Sequence, residues 1–248
     1  MNNLIIQKEL QRGTFGTVYL AKLNNDKVAV KKIKKSMLKK YKIDPLIELE
    51  ILLMLKNKFI VKFIYFFEDQ KYIYHVLEYV DRDLYSIIQK EKINEYEALT
   101  YVKKISKGLI YLHLMKIAHL DIKPENILVN IDNEIKICDF GQSAIFKNGE
   151  KFIKHTGTLY YVAPEIAFNK LYDYKVDIWA LGIIYYELIR KYPPFYSLKR
   201  DETLFLIKKC EIIFTNNFSR KTQIYILKLL NPNPNLRINP VDILKFNL

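Results

Sequence analysis

From Leu4 to Lys34 apolar and polar residues alternate through I-I-Q-K-E-L, T-V-Y-L-A-K-L and K-V-A-V-K-K-I, with β-branched residues enriched. Period-two alternation predicts three half-buried strands joined by tight turns, one of them at Asn24-Asn25-Asp26. The spacing then changes. Over residues 45–57, Leu46, Leu49, Leu52 and Leu53 recur at helical intervals, and Pro45 is acceptable in a first turn, so a helix is predicted. Residues 60–67 and 72–79 read as two further strands. Beyond residue 82 the pattern is mainly helical, most clearly over 95–116 and 176–190. The expected organisation is α+β, with a strand-rich first part and a helical second part.

The chain has 248 residues, half of them hydrophobic, enough to bury a sizeable core in one large or two small domains. No Pro-, Gly- or Ser-rich stretch marks a linker, and no internal repeat is visible. The start, M-N-N-L-I-I-Q-K, lacks the apolar run of a signal peptide, and charge interrupts the apolar stretches before they reach membrane-spanning length. Cys138 and Cys210 are too few for a disulfide framework, so a reducing, intracellular setting is expected, with Cys138 a small buried hydrophobe. The net charge of +13 could attract nucleic acid, an anionic membrane or an acidic protein. No basic–aromatic alternation suggests a base-stacking face. The charge is therefore expected to be a lysine-rich solvated surface, with neither nucleic acid nor membrane as partner. The seven lysines of the run Lys31–Lys42 fit an exposed loop and helix start, Lys31 excepted.

The candidate chemistry lies in His119-Leu120-Asp121-Ile122-Lys123-Pro124-Glu125-Asn126, followed by Asp139-Phe140-Gly141. Two aspartates, a lysine and an asparagine at this spacing can take a proton, neutralise phosphate and hold a divalent metal. Phosphoryl transfer needs all three, because its catalysis is mostly positioning and electrostatic stabilisation. A surface ion pair between Asp121 and Lys123 would leave Asn126 and Asp139 unexplained. His119 reads as a packed structural residue. Upstream, L-Q-R-G-T-F-G-T-V over Leu10–Val18 supplies small residues, Gly13 and Gly16, that let backbone N–H groups approach phosphate. Val28-Ala29-Val30-Lys31 follows; downstream come Ala163-Pro164-Glu165, Asp177-Ile178-Trp179-Ala180-Leu181-Gly182 and Arg237.

In this order, and covering essentially the whole chain, these motifs resemble those of eukaryotic protein kinases. The resemblance implies a bilobal kinase domain over residues 4–248, with a β-rich N-lobe over about 4–78 and a helical C-lobe over about 82–248, and nucleotide between them. It implies ATP and Mg²⁺ as cofactors. Asp121 would be the base, Lys123 would neutralise the transferring phosphoryl group, and Asn126 and Asp139 would hold the metal. Lys31 would contact the α- and β-phosphates and pair with a helix glutamate. Of Glu48 and Glu50, the family's spacing back from Ile60-Val61-Lys62 selects Glu48 and leaves Glu50 solvated. Leu10, Gly13, Gly16, Val18, Ala29 and Leu128 are assigned to nucleotide contact. Leu77 guards the back of the adenine pocket, with Glu78 carbonyl and Val80 N–H as adenine partners. Arg237 would pair with Glu165.

Lysine two residues after the base, together with Thr158 in Thr156-Gly157-Thr158, is similar to the serine/threonine side of the family, so the expected substrates are Ser and Thr hydroxyls of proteins. Glu125 and Glu187 would together grip a basic residue two before the acceptor. Three departures stand out. Gln11 replaces the family's first glycine. Leu120 replaces the arginine that pairs with an activation-segment phosphate. Lys154 stands where close relatives carry the phosphorylatable threonine, and residues 144–155 contain no Ser, Thr or Tyr. Phosphate acceptor and arginine partner are lost together, which reads as removal of the usual phospho-switch.

The segments Glu48–Tyr79, D-F-G-Q-S-A, G-T-L-Y-Y-V-A-P-E-I and K-V-D-I-W-A-L-G look most like Aurora kinases, with polo-like and calmodulin-dependent kinases as alternatives. Gln11, Leu120, Gln142 and Lys154 depart from the Aurora pattern. The resemblance places the protein in the nucleus or cytoplasm, with spindle association and a cell-cycle role if it is Aurora-like. With the chain beginning near the first strand and ending soon after Arg237, control is expected from a partner docking on the N-lobe, or from abundance. A pseudokinase scaffold and a basic nucleic-acid-binding module are the competing readings; intact Lys31, Asp121, Asn126 and Asp139 argue against the first.

Overall fold

A computed structural model of the chain describes residues 3–13, 16–41, 44–146, 152 and 156–248. It divides into two compact units, Met1–Asp81 and Arg82–Leu248. In the first, β1 (Leu4–Arg12), β2 (Gly16–Leu23), β3 (Asp26–Lys34), β4 (Phe63–Glu68) and β5 (Tyr72–Glu78) form one antiparallel sheet in the order β1-β2-β3-β5-β4. Two helices, α1 (Lys35–Tyr41) and α2 (Pro45–Met54), separate β3 from β4. The predicted turn holds: Asn24 takes a left-handed conformation, φ 55°, which asparagine tolerates, and β3 begins two residues later. Because side chains alternate across the sheet, Ala21, Val28, Val30 and Val76 collect on one buried face.

Three expectations are corrected here. The helix over 45–57 stops at Met54, where Leu55 turns extended and its N–H still reaches Ile51 O; Leu49, Ile51 and Leu52 are buried, whereas Leu46 and Leu53 are 55% and 56% exposed. Nearly every residue of α2 is apolar, so spacing alone could not tell its core side from its outer side. The strand over 60–67 starts only at Phe63. Ile60 and Val61 are buried, but Ile60 closes a turn with its N–H on Asn57 O, Val61 follows it outside any strand, and Lys62 N–H bonds the Glu78 carboxylate rather than a ladder carbonyl. In the lysine run, Lys32 and Lys34 belong to β3, and Lys32 sits over the Tyr72 ring at 4.1 Å instead of in a loop.

The second unit is mainly helical. Its elements are β6 (Arg82–Asp83), α3 (Leu84–Lys90), α4 (Glu95–Leu114), β7 (Ile117–Ala118), β8 (Ile127–Val129), β9 (Ile135–Ile137), β10 (Ala144–Ile145), α5 (Pro164–Ala167), α6 (Lys175–Arg190), α7 (Arg200–Lys209), α8 (Arg220–Leu229) and α9 (Pro240–Ile243). Asn94 and Glu97 close a reciprocal capping box at the start of α4, each side chain meeting the other's main-chain N–H at 2.9 Å. Every residue of α6 from Val176 to Leu188 is buried, as a helix apolar on all sides requires. This helix is the axis of the unit, packed by α4 and α8. It ends at Lys191 in the left-handed conformation. Short ladders β6-β8-β9 and β10-β7 place the chemistry-bearing loops between them.

Candidate active site

In the first unit the register of the sheet decides what shares a face. Val18 pairs with Lys31 across β2 and β3, Ala29 lies two residues from Lys31, and Leu77 pairs with Ala29 across β3 and β5. Val18, Ala29, Lys31 and Leu77 therefore project from one side of the sheet, opposite the Val28–Val30 core. Glu48 reaches this side from α2, with Lys31 Nζ 2.5 Å from Glu48 Oε1, while Glu50 is exposed. The Asp44 carboxylate caps α2 by accepting Leu46 N–H at 2.9 Å, fixing the helix start that presents Glu48. His75, buried and directly across from Lys31, shares the same side.

Gly13 N–H donates to Gly16 O at 2.9 Å, so the two glycines close the β1–β2 hairpin; Thr14 and Phe15 lie outside the described residues. A Cβ on Gly16 would stand 2.2 Å from the Lys32 carbonyl oxygen, so close packing of β2 on β3 alone demands glycine there. Leu10 is exposed on β1. Glu78 ends β5, its N–H on Lys62 O at 2.9 Å, and Val80 is half-buried just beyond.

In the second unit the residues of the 119–126 loop converge. Thr158 hydroxyl donates to Asp121 Oδ1 at 2.8 Å and accepts from Lys123 Nζ at 2.9 Å, while Lys123 Nζ is also 2.8 Å from Asp121 Oδ2. One hydroxyl donor and one acceptor lone pair are thus both used, which fixes the carboxylate and the ammonium relative to each other. Buried Asn126 donates its amide to Asp121 O at 2.8 Å and to Asp121 Oδ2 at 3.2 Å. His119 is buried and holds the loop from behind. Its Nε2 is 2.9 Å from Cys138 O, and its Nδ1 receives Asp121 N–H at 3.3 Å, so the neutral ring carries its proton on Nε2. Cys138 N–H donates to Asn126 O at 3.0 Å, drawing the Asn126 turn against the residue before Asp139. Cys138 itself is half-buried, not buried as expected, because it sits at the edge of this junction. Leu128 is half-buried on β8.

Leu120 and Asp139 both have positive φ, 67° and 65°. For side chains with a Cβ such backbone is strained, and its occurrence on either side of this cluster is typical of functional loops. Asp177, in the first turn of α6, holds the Leu120 bend through its carboxylate, which accepts the N–H groups of His119 and Leu120 at 2.9 Å each. Its role was not read from the sequence; the available signal was an acid in the first turn of a largely apolar helix. Gly157, φ 88°, packs so tightly that a Cβ would lie 2.8 Å from Leu120 O. Glu165 and Arg237 are both buried and meet through two bonds of 2.7 and 3.1 Å, the pair that the resemblance implies.

Glu187 is buried and accepts the Tyr161 hydroxyl at 2.7 Å. Burial, with the nearby charge of Glu125 adding to it, pushes the Glu187 carboxyl up to about 7, against the opposing effect of that hydrogen bond. Burial likewise raises Glu125 and the Tyr161 phenol above their ordinary ranges. The Oε2 atom of Glu125 is buried with no hydrogen-bond partner among the described residues. Tyr161, too, was missed by sequence reasoning. Lys154 lies outside the described residues.

Among the described residues no cluster of three or more His, Cys, Asp or Glu side chains could cage a metal, and no helix is long and apolar enough to cross a membrane. The oxygens of Asn126 and Asp139 suit a hard cation that keeps waters and phosphate oxygens in its shell, as Mg²⁺ does.

The family model for the protein kinase domain matches residues 4–247. An Aurora kinase of Patiria pectinifera is 36% identical over 245 residues, covering 96% of this chain and 60% of that protein. Aurora kinase C of Mus musculus is 35% identical, covering 99% and 91%. Serine/threonine-protein kinase Aurora-1 of Arabidopsis thaliana is 39% identical, covering 86% and 74%.

Proposed function

The chain belongs to the protein kinase family, in its serine/threonine-specific Aurora branch, and on that premise we propose that it transfers the γ-phosphoryl group of ATP to Ser and Thr hydroxyls of proteins, with Asp121 as base. The observation that carries this reading is the Asp121–Thr158–Lys123 arrangement, in which a carboxylate and an ammonium are held 2.8 Å apart by a shared hydroxyl. The acceptor hydroxyl gives its proton to Asp121 as its oxygen bonds to the transferred phosphorus and ADP departs. Lys123 neutralises charge gathering on the transferred group, and Thr158 keeps the two side chains in register. Lys31, oriented by Glu48, meets the α- and β-phosphates. Asn126 and Asp139 hold Mg²⁺, which neutralises phosphate charge when bound. Leu10, Gly13, Gly16, Val18, Ala29, Glu78, Val80 and Leu128 contact the nucleotide.

Glu125 and Glu187 receive a basic residue two before the acceptor. The buried, unpartnered Oε2 of Glu125 supports this, since a guanidinium would satisfy it. Exposed Leu46, Ile47, Leu53 and Met54 on α2 support a regulatory protein partner docking on the first unit. An intracellular setting, nuclear or cytoplasmic and spindle-associated, completes the reading; nucleic acid is not a partner.

The test is radiolabelled ATP with a basic Ser/Thr peptide. Asp121→Asn should lower turnover by ~10²–10⁴ with little change in ATP affinity. Asp139→Ala should abolish Mg²⁺-dependent turnover. Wild-type rates in both variants would leave a scaffold, not an enzyme.

A further inference from the structure

We propose that Phe146, Phe152 and Tyr172 form an aromatic clasp that holds the activation segment ready for catalysis without phosphate; this rests on the kinase reading above and concerns how that site is regulated. Lys154 and Leu120 remove the acceptor and the cationic partner of the usual latch. The structure offers an apolar contact in its place.

The segment leaves the metal-binding aspartate as β10, which pairs Ala144 with Ala118 and Ile145 with Ile117. Phe146 N–H then donates to Lys116 O at 2.7 Å, and its ring is buried. Phe152 meets that ring edge-on, with centroids 4.6 Å apart and planes at 67°. This is the favoured aromatic geometry. Tyr172, beyond the Ala163-Pro164-Glu165 motif, is buried and stands 6.5 Å from both phenylalanine rings. Phe152 and Tyr172 also exchange two main-chain hydrogen bonds of 3.1 Å, an antiparallel bridge. Phe146, near the start of the activation segment, and Phe152 within it are therefore tied by backbone and by rings to Tyr172 beyond the segment's end.

The clasp connects to the catalytic loop. Tyr174, 6.5 Å from Phe146, packs on His113 at 4.9 Å. His113 Nε2 lies 3.0 Å from Asp177 Oδ2, the carboxylate that also holds the His119 and Leu120 N–H groups. Leu120 is buried, and its main-chain N–H is held by the Asp177 carboxylate. A phosphate-dependent latch joins the same two parts by charge. Here ring contacts and main-chain bonds join them without phosphate, so Phe146 and Phe152 are positioning residues.

Half-buried Phe152 is the site to change, because its loss leaves the core intact. Enzyme produced in bacteria and treated with phosphatase should keep its activity. Phe152→Ala should lower kcat/KM for peptide by ~10- to 100-fold, the scale for misplacing a reacting group by about an ångström, while KM for ATP changes less than about twofold. Phe152→Tyr keeps the ring and should restore most of the rate. Combining Phe152→Ala with Phe146→Leu should cost no more than the larger single change, since one contact is lost in both. If Phe152→Ala matches wild type while Asp121→Asn is inactive, the clasp is wrong and the kinase reading stands. Strictly additive losses, or a large loss on dephosphorylation, overturn the clasp as well. Wild-type turnover in Asp121→Asn removes the kinase reading itself.

Discussion

The Asp177 carboxylate accepts the main-chain N–H of Leu120 at 2.9 Å, and Leu120 sits at φ 67°. A left-handed leucine costs about 1–2 kcal/mol, so the bend that presents Asp121 persists only because something outside the loop holds it. Asp177 does so from a fully buried helix, using its second oxygen for His119 N–H and His113. The loop over residues 119–126 is thus set by the helical core of its own unit.

Asp177→Asn should therefore damage both stability and rate. An amide has a single oxygen, so one of the two loop N–H groups would face an NH₂ group. An unmet buried donor costs about 1–3 kcal/mol. Urea denaturation should show a lower midpoint with unchanged slope, and peptide turnover should fall more than nucleotide affinity. A midpoint equal to wild type would show that the carboxylate does not hold the loop.

His75 makes the first unit acid-sensitive. Burial, and to a lesser extent the charge of Lys31 across the sheet, lowers the imidazole from 6.5 to about 4. Neither ring nitrogen has a hydrogen-bond partner among the described residues. Between pH 6.5 and about 4 the unfolded chain takes up a proton that the folded chain refuses. Stability is thus fully present above 6.5 and declines on acidification, by up to about 3 kcal/mol from this group. His75→Leu removes the group and should flatten thermal stability between pH 7 and pH 5. An equally steep decline in the variant would assign the acid sensitivity to other groups.

Glu187 has the opposite sign. Its folded carboxyl lies near 7, above the ordinary 4.5, so the folded chain holds a proton the unfolded chain has lost. Stability from this group is complete below 4.5 and declines as pH rises through about 7. Tyr161 and Glu125 are the groups that face it. If Glu187 also receives a substrate arginine, KM for an arginine-bearing peptide should improve from pH 6 to pH 8, by up to about tenfold per unit on the acid side of the transition. Glu187→Gln should abolish both the stability trend and the KM trend. Persistence of the KM trend in that variant would assign recognition elsewhere.

Strand alternation over residues 4–34 and the long apolar periods of 95–116 and 176–190 were legible because each pattern is local and repeats many times. The observed β1 to β3, α4 and α6 follow them closely. Short or uniformly apolar stretches were not. The helical spacing of Leu46, Leu49, Leu52 and Leu53 does not separate buried Leu49 and Leu52 from exposed Leu46 and Leu53, because α2 is apolar around most of its circumference and only packing selects the inner side. Ile60 and Val61 looked like strand because a buried turn has the same composition as a buried strand.

The candidate site divides along the same line. Residue types at characteristic spacing, Asp121, Lys123, Asn126 and Asp139, are a property of the chain itself, since the chemistry they suggest depends on which groups are present and in what order. The sequence by itself also determined that Leu120 and Lys154 stand where related kinases carry an arginine and a threonine, the departure from which the proposed clasp starts. What makes up that clasp could not be read from the sequence. Phe146, Phe152 and Tyr172 are ordinary apolar residues until the fold brings them within ring contact. The grip of Asp177 on the loop and the burial that moves Glu187 toward neutrality arise between residues dozens of positions apart. Such effects depend on which groups the folded chain removes from water together, and no local pattern of hydrophobic and polar positions encodes that.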